Sequence, residues 1–236
     1  MQQLSNAASY KKKDPKITAI VFTLDEEQNL PYVLPKIPPW VDEVLMIDGN
    51  STDNTVKVAK ELYPSIRILF QPGRGKGDAM KFGFEMATGD IIVTLDADGA
   101  TDPQEMQNFI EPLKNGYDFV KGTRLLENSD WHGRWHRWFV NKIFVIMTNT
   151  LYGTKFTDLC AGYNAFWKEP VLKINFTGNG YENEPLLYLR SLKAGLKITE
   201  VSFRDNGRYH GMTKELALRQ GWIALKTIIR ERFVNQ

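Results

Sequence analysis

A single cysteine, Cys160, leaves an internal disulfide nothing to join, which fits a reducing compartment. An excess of charge is also lacking: 30 Lys and Arg against 28 Asp and Glu leave a formal net charge of +2, too near neutral to argue for a nucleic-acid partner. No stretch holds the ~18 consecutive apolar residues that span a bilayer, and the first residues lack the apolar core of a secretory signal. A membrane lipid, if one is a substrate, has to be reached from the surface. The three histidines make no metal site. His132 and His136 are spaced i, i+4, but no carboxylate or cysteine accompanies them at ligand spacing, and His210 stands apart. Repeats, low-complexity linkers and a second-domain boundary are absent too. What remains is 42% hydrophobic and 25% charged, enough for a packed core. Residues 15–236 read as one α/β domain and residues 1–14 as a loose polar tail. Its Lys11-Lys12-Lys13 could touch anionic lipid, with a solvated tail as the plainer alternative.

Strand and helix signals alternate through the first half. Residues 17–24, 41–48, 66–70 and 91–96 are rich in β-branched and apolar residues and predict strands. Between them, 29–36 predicts a short helix. Residues 52–63 show helical spacing through Val56, Ala59 and Leu62, and 76–87 place Met80, Phe84 and Ala87 on one side. A helix over 103–114 starts well at Pro103, and 119–122 predicts another short strand. This order implies a mostly parallel sheet with helices on both faces. The second half is less regular: an aromatic segment over 131–151, a loop into a strand over 158–167, a helix over 184–194, a strand over 198–203 and a closing amphipathic helix over 216–233.

The strand over 91–96 ends in Asp96-Ala97-Asp98-Gly99. Ligands of open α/β sheets collect beyond the carboxyl ends of the strands, and two carboxylates there can seat a divalent cation holding a diphosphate. A strand ending in a polar turn is the bland alternative. The second strand ends in Asp48-Gly49-Asn50-Ser51-Thr52-Asp53. Gly49 and Asn50 permit a tight turn, and Ser51, Thr52 or Asp53 can cap the next helix. Asp48, on the strand tip, could instead accept hydrogen bonds from a base or ribose. Gly73-Arg74-Gly75-Lys76-Gly77 opens a helix with little side-chain bulk and two positive charges, a plausible phosphate cradle although its spacing is not that of a P-loop.

Read in order, Thr23-Leu24-Asp25-Glu26-Glu27-Gln28-Asn29-Leu30, the 47–55 turn, the 73–79 loop and Leu95-Asp96-Ala97-Asp98 resemble the family-2 glycosyltransferases of GT-A fold. Gly122-Thr123-Arg124, Thr157-Asp158-Leu159-Cys160-Ala161-Gly162-Tyr163-Asn164 and Arg208-Tyr209-His210-Gly211-Met212-Thr213-Lys214 resemble the dolichol-phosphate mannose or glucose synthase branch. The resemblance covers residues 16–214. It implies inverting transfer of a hexose from a UDP- or GDP-sugar to a polyprenyl (dolichyl) phosphate. Asp96 and Asp98, flanking Ala97, would hold Mg²⁺ or Mn²⁺ and the donor diphosphate. Thr23, Glu26, Asp48 and Arg74 would line the nucleoside pocket, beside Lys76. Arg124 and Arg137 would bind the acceptor phosphate, Arg208 and Lys214 would close a loop over the phosphates, and Asp158 would sit near the transferred sugar. The chain departs from the family in three places. Asp48-Gly49-Asn50 stands where two adjacent aspartates are usual, Leu24-Asp25-Glu26 where an aromatic residue and asparagine are common, and Ala100 where a metal-supporting glutamine is frequent.

The acceptor sets the chemistry. A phosphate monoester, with a second pKa of ~6, is largely a dianion at neutral pH. It needs steering by arginines and no general base. A sugar hydroxyl would need a base, and Asp158 is then the candidate. A transferase extending a polysaccharide or glycolipid, and a nucleotide-sugar-binding subunit without turnover, are the rival readings. Trp131, Trp135, Trp138, Phe139, Ile143, Phe144 and Met147 share a segment with His132, Arg134, His136, Arg137 and Lys142. That mixture suits a helix lying on a lipid interface, against core packing. In the closing helix Trp222, Ile223, Ile228, Ile229 and Phe233 accompany Lys226, Arg230 and Arg232, with the two readings equally weighted. The expected setting is the cytoplasmic face of a membrane, peripherally bound, with a separate anchoring protein as a further candidate partner.

Overall fold

The computed structural model describes residues 10–124, 135–174, 182–211 and 217–234. In chain order the elements are β1 (Ile17–Thr23), β2 (Glu43–Asp48), α1 (Thr55–Leu62), β3 (Arg67–Phe70), α2 (Lys76–Met86), β4 (Ile91–Asp96), α3 (Met106–Lys114), β5 (Phe119–Arg124), α4 (Trp135–Tyr152), β6 (Asn164–Trp167), α5 (Lys168–Leu172), α6 (Asn183–Lys193), β7 (Ile198–Phe203) and α7 (Ala217–Phe233). The strands form one sheet in the order β3-β2-β1-β4-β6-β5-β7. β6 runs antiparallel to both β4 and β5, and the other pairings are parallel.

Both faces of the sheet are covered, so β1 is buried along its whole length. Ala19 and Val21 join one core with Met46, Val93, Leu95 and Phe109. Ile20 and Phe22 point the other way, to Leu45, Ile47, Met80, Phe84, Ile92 and Phe166. Each of these side chains larger than alanine contributes about 1.5–3 kcal/mol of burial. Register then fixes function. Thr23 lies opposite Asp48, and Phe22 opposite Asp96, so the carboxyl ends of β1, β2 and β4 meet at one edge.

Several expectations are corrected. The predicted helix over 29–36 is two 3-10 turns, Leu30–Tyr32 and Leu34–Lys36. Pro31 and Pro35 start each turn but cannot donate the bond that would join them. The helix expected from 52 starts at Thr55, where Asp53 Oδ1 accepts from Thr55 N at 2.9 Å. The helix expected from 103 opens as a 3-10 turn, Pro103–Glu105, before α3. β5 continues to Arg124, and α5 was not foreseen. Residues 1–9 lie outside the described residues, but 10–12 are docked rather than loose. Tyr10 Oη donates to Asp118 at 2.8 Å, Lys11 pairs with Asp118 at 2.5 Å, and Lys12 pairs with Asp90 at 2.7 Å.

In the C-terminal half, α4, α6 and α7 pack together behind β5 and β6. Phe144, Val145 and Ile228 are core, while Phe139, Ile143 and Ile146 on α4 and Trp222, Ile229 and Phe233 on α7 are exposed. Each helix therefore has one side packed in the core and one exposed side that carries large apolar residues. Among the described residues no helix is long and apolar enough to cross a membrane. Trp131, His132 and Arg134 lie outside the described residues. Glu231 of α7 is buried and accepts from Arg190 of α6 at 3.1 and 2.9 Å, with Lys193 at 3.4 Å. Replacing Glu231 by Leu leaves the Arg190 guanidinium buried without its carboxylate. A loss of about 3 kcal/mol is expected, read as a lower urea midpoint; an unchanged midpoint would show that the pair does not hold α7 in place.

Candidate active site

The floor of the cleft is a pair of stitched loops. Asp48 is fully buried, and its carboxylate accepts from Ser51 N at 2.8 Å, Ser51 Oγ at 2.6 Å and Thr23 Oγ1 at 2.9 Å. The sequence set Asp48 apart from the capping residues, but in the structure it is the anchor of its own turn. The loop after β1 is tied to the loop after β2 by Asp25 N to Ser51 Oγ, Glu26 N to Thr55 Oγ1 and Glu27 N to Asp53 Oδ2. Asp25 adopts a positive φ of 52° and returns the bond, accepting from Thr52 N at 2.7 Å. Arg74 is exposed at the tip of the loop before α2.

Asp96 and Asp98 stand beside this floor, with Ala97 buried between them and its N donating to Phe22 O. Lys76, the first residue of α2, places its ammonium 2.8 Å from Asp96 Oδ1 and 2.8 Å from Glu184 Oε1. Burial opposes that charge, yet the carboxylates of Asp96 and Glu184 outweigh it and hold the lysine pKa above its ordinary value. Gly162 packs against this pair: a Cβ there would lie 2.6 Å from Asp96 Oδ2. Burial first, and the charge of Asp96 second, push the Asp98 carboxyl up to about 6, against the pull of Ala100 N and Arg208. Two crowded carboxylates, all-oxygen and only partly exposed, suit a hard divalent cation whose charge would relieve them. Among the described residues no group of three or more potential ligands surrounds them.

Residues 204–211 lie over the pair. Tyr209 N donates to Asp98 O, and Asn206 N to Ala100 O. Arg208 Nη2 donates to both oxygens of Glu26 at 2.7 Å, and its Nη1 lies 3.9 Å from Asp98 Oδ2. His210 N donates to Asn29 Oδ1 at 2.8 Å, and the ring of Tyr209 stacks on Tyr32 with centroids 4.4 Å apart. Gly99, at φ +80°, is the residue over which the Tyr209 ring sits, where a Cβ would collide with it. Lys214 lies outside the described residues.

A second cluster runs along β5 and β7, where Lys121 lies opposite Glu200, to the end of β5 at Arg124. Arg124 Nε and Nη2 donate to Asp158 at 2.6 and 2.9 Å, and Cys160 N donates to the same carboxylate at 2.9 Å. Burial alone would raise the Asp158 pKa, but the guanidinium dominates and holds it well below the usual carboxylate range. Behind them Glu200 accepts from Thr157 N and Oγ1, each at 2.9 Å, and pairs with the fully buried Lys121 at 2.9 Å. Arg137 falls in the first turn of α4, its side chain outside the described part.

The fold thus gathers Thr23, Glu26, Asp48, Lys76, Asp96, Ala97, Asp98 and Arg208 at one edge of the sheet, and joins Arg124 to Asp158 in a separate cluster. Sequence reasoning missed Glu184, Glu200, Lys121 and Asn29. A lysine inside the apolar run of β5 and a glutamate opening the buried face of α6 were the available signals.

The family model described as Glycosyl transferase family 2 matches residues 18–174. The glycosyltransferase AglJ of Haloferax volcanii is 29% identical over 198 residues, covering 81% of this chain and 63% of AglJ. The polyprenol monophosphomannose synthase of Mycolicibacterium smegmatis is 26% identical over 211 residues, 83% of this chain and 79% of that protein. The dolichol-phosphate mannosyltransferase of Pyrococcus furiosus is 28% identical over 213 residues, 84% of this chain and 59% of that protein. The chain therefore spans less than two thirds of the first and third of these relatives. In fold it is similar to the glucosyl-3-phosphoglycerate synthase of Mycobacterium tuberculosis in complex with Mn²⁺, UDP and glucosyl-3-phosphoglycerate. That match has a TM-score of 0.79 at 20% identity and covers 94% of this chain and 81% of the other.

The raised Asp98 pKa carries a signed consequence for stability. Its folded value of about 6 lies above the unfolded carboxylate value, so its favourable contribution is complete at low pH and is lost as pH rises through 6. In chelator, Asp98→Asn should therefore be more stable than wild type by about 2 kcal/mol at pH 8. The difference should shrink towards zero near pH 4. Thermal unfolding at both pH values checks this, and a gap that does not change with pH would contradict it.

Proposed function

This chain belongs to glycosyl transferase family 2, and from that membership we propose that it moves a hexose, with inversion, from a nucleotide diphosphate sugar to a polyprenyl phosphate at a membrane surface. The observation that carries the acceptor assignment is the Arg124–Asp158 pair. Asp158 is the residue a hydroxyl acceptor would need as base, yet its two oxygens are taken by Arg124, and a carboxylate held at so low a pKa is a poor base. An acceptor that is already a dianion needs no such base and is steered by a guanidinium. Two relatives support this reading by name, a polyprenol monophosphomannose synthase and a dolichol-phosphate mannosyltransferase.

On the donor side, Thr23, Glu26 and Arg74 line the nucleoside, and Asp48 acts through the turn it anchors. Lys76, Arg208 and Lys214 face the diphosphate, and Asp96 and Asp98 hold Mg²⁺ or Mn²⁺. The bound cation supplies neutralising charge to the departing diphosphate. Arg208 adds to that effect where negative charge grows, which favours the transition state over the ground state. Its bonds to Glu26, Asn29 through His210, and Asp98 through Tyr209 set where the guanidinium can stand. Arg137 shares the acceptor phosphate with Arg124.

The exposed faces of α4 and α7 lie on the lipid, alone or beside a separate anchoring protein. Phe139, Ile143 and Ile146 recur at helical spacing on one, and Trp222, Ile229 and Phe233 on the other. Basic residues flank both, with Lys142 Nζ 5.7 Å from the Trp138 ring and Lys226 Nζ 5.3 Å from the Trp222 ring.

Purified protein incubated with labelled UDP- and GDP-sugars, Mn²⁺ or Mg²⁺ and a polyprenyl phosphate should put label into the lipid phase. Label moving only to a saccharide would overturn the acceptor, and donor binding without transfer to any acceptor would indicate a binding subunit. Arg124→Gln should raise the acceptor KM by about 10- to 100-fold and leave the donor KM nearly unchanged; equal effects would place Arg124 on the donor side. Phe139→Asp combined with Trp222→Asp should weaken sedimentation with anionic vesicles about tenfold or more, and unchanged sedimentation would remove the two helices from the lipid contact.

A further inference from the structure

Glu184 brings a buried carboxylate into the donor cleft, and no step of sugar transfer requires it there. Its Oε1 lies 2.8 Å from Lys76 Nζ. The same ammonium lies 2.8 Å from Asp96 Oδ1 and 3.1 Å from Asp96 Oδ2. One lysine therefore engages both oxygens of Asp96 and a second carboxylate on another helix. A divalent cation seated on Asp96 and Asp98 meets this ammonium as a like charge on shared oxygens, and the two repel strongly at such distances.

Geometry also limits where the ammonium can go. Gly162 closes one side, where even a Cβ would lie 3.1 Å from Lys76 Nζ. Glu184 holds the other side. It sits in the first turn of α6, where the helix N-terminus favours a carboxylate, and its side chain is only 7% exposed, so its charge is little screened. Lysine suits an exchange of this kind. It is a compact charge on a flexible stem with three donors, and it can release one carboxylate while keeping another.

We propose that Lys76 is an exchangeable counter-ion of Asp96, and that Glu184 is the positioning residue that receives it. A divalent cation displaces the ammonium from Asp96, and Glu184 keeps it beside the diphosphate. This inference rests on the reading of Asp96 and Asp98 as the cation pair, and the test separates the two.

The probe is Mn²⁺ alone, titrated into the full chain and followed by the electron paramagnetic resonance signal of the free ion. Lys76→Gln should bind Mn²⁺ on the order of tenfold more tightly than wild type. Glu184→Gln should bind it on the order of tenfold more weakly, because the ammonium is left on Asp96 alone. In the double variant the effect of Glu184→Gln should disappear, since Glu184 acts through the lysine. Lys76→Gln binding no more tightly than wild type overturns the proposal, as does its failure to bind at all. A Glu184→Gln penalty that persists undiminished in the double variant also overturns it, since Glu184 would then act on the cation directly. If Glu184→Gln alone does not fold, the double variant, which removes opposite charges together, must match Lys76→Gln. Asp98→Asn tests the underlying reading: it should abolish Mn²⁺ binding in every background. Binding left intact by that change would move the cation site elsewhere, whatever Lys76 does.

Discussion

Thr23 pairs with Asp48 and Phe22 with Asp96 across two adjacent parallel ladders. Side chains alternate between the faces of a strand, so a slip of one residue would send each of them to the opposite side. That register is held by the buried apolar residues along β1, β2 and β4, which fill the cores on both faces. The cleft is thus positioned by hydrophobic packing several residues away from it. Its polar groups do not have to hold the sheet together, and they are free to be arranged for charge.

The charges in and around the cleft come as partnered groups. Asp96 meets Lys76, Glu26 meets Arg208, Asp158 meets Arg124, and Glu200 meets Lys121. Buried pairs of this kind add little net stability, because desolvation offsets most of their attraction. They fix orientation instead. Arg124 is held at Nε and Nη2, and the loop that carries Asp158 is itself held by Glu200 through Thr157. Asp98 is the contrast. Among the described residues its closest cationic atom is Arg208 Nη1 at 3.9 Å, and burial first, with repulsion from Asp96 second, raises its affinity for protons.

Much of this was legible in the chain. The run before Asp96 is so strongly apolar and β-branched that its strand, and the two carboxylates at its tip, could be placed from sequence. The same holds for the helix carrying Met80 and Phe84. The two 3-10 turns at Pro31 and Pro35 were misread because apolar spacing outweighed a missing backbone donor. The part Asp48 plays in its own turn was not legible, because a strand-tip aspartate looks the same in sequence whether or not it anchors the turn that follows; the hydroxyls of Thr23 and Ser51, brought together by the register, reveal it. Glu184 and Glu200 were missed for a different reason. Their partners, Lys76 and Thr157, lie far away in the chain; the opening glutamate of α6 could be noticed in sequence, but not the contact it makes.

The reversal at β6 has a consequence of its own. It sets the strands that carry Thr23, Asp48 and Asp96 on one side of the sheet and those that carry Arg124 and Glu200 on the other, with Gly162 at the seam. The two groups are fixed by different neighbours and packed under different helices. Under the proposed function, preference for a nucleoside and preference for an acceptor would then be separable problems, open to mutation one at a time, and a laboratory selection on either trait would have little reason to disturb the other.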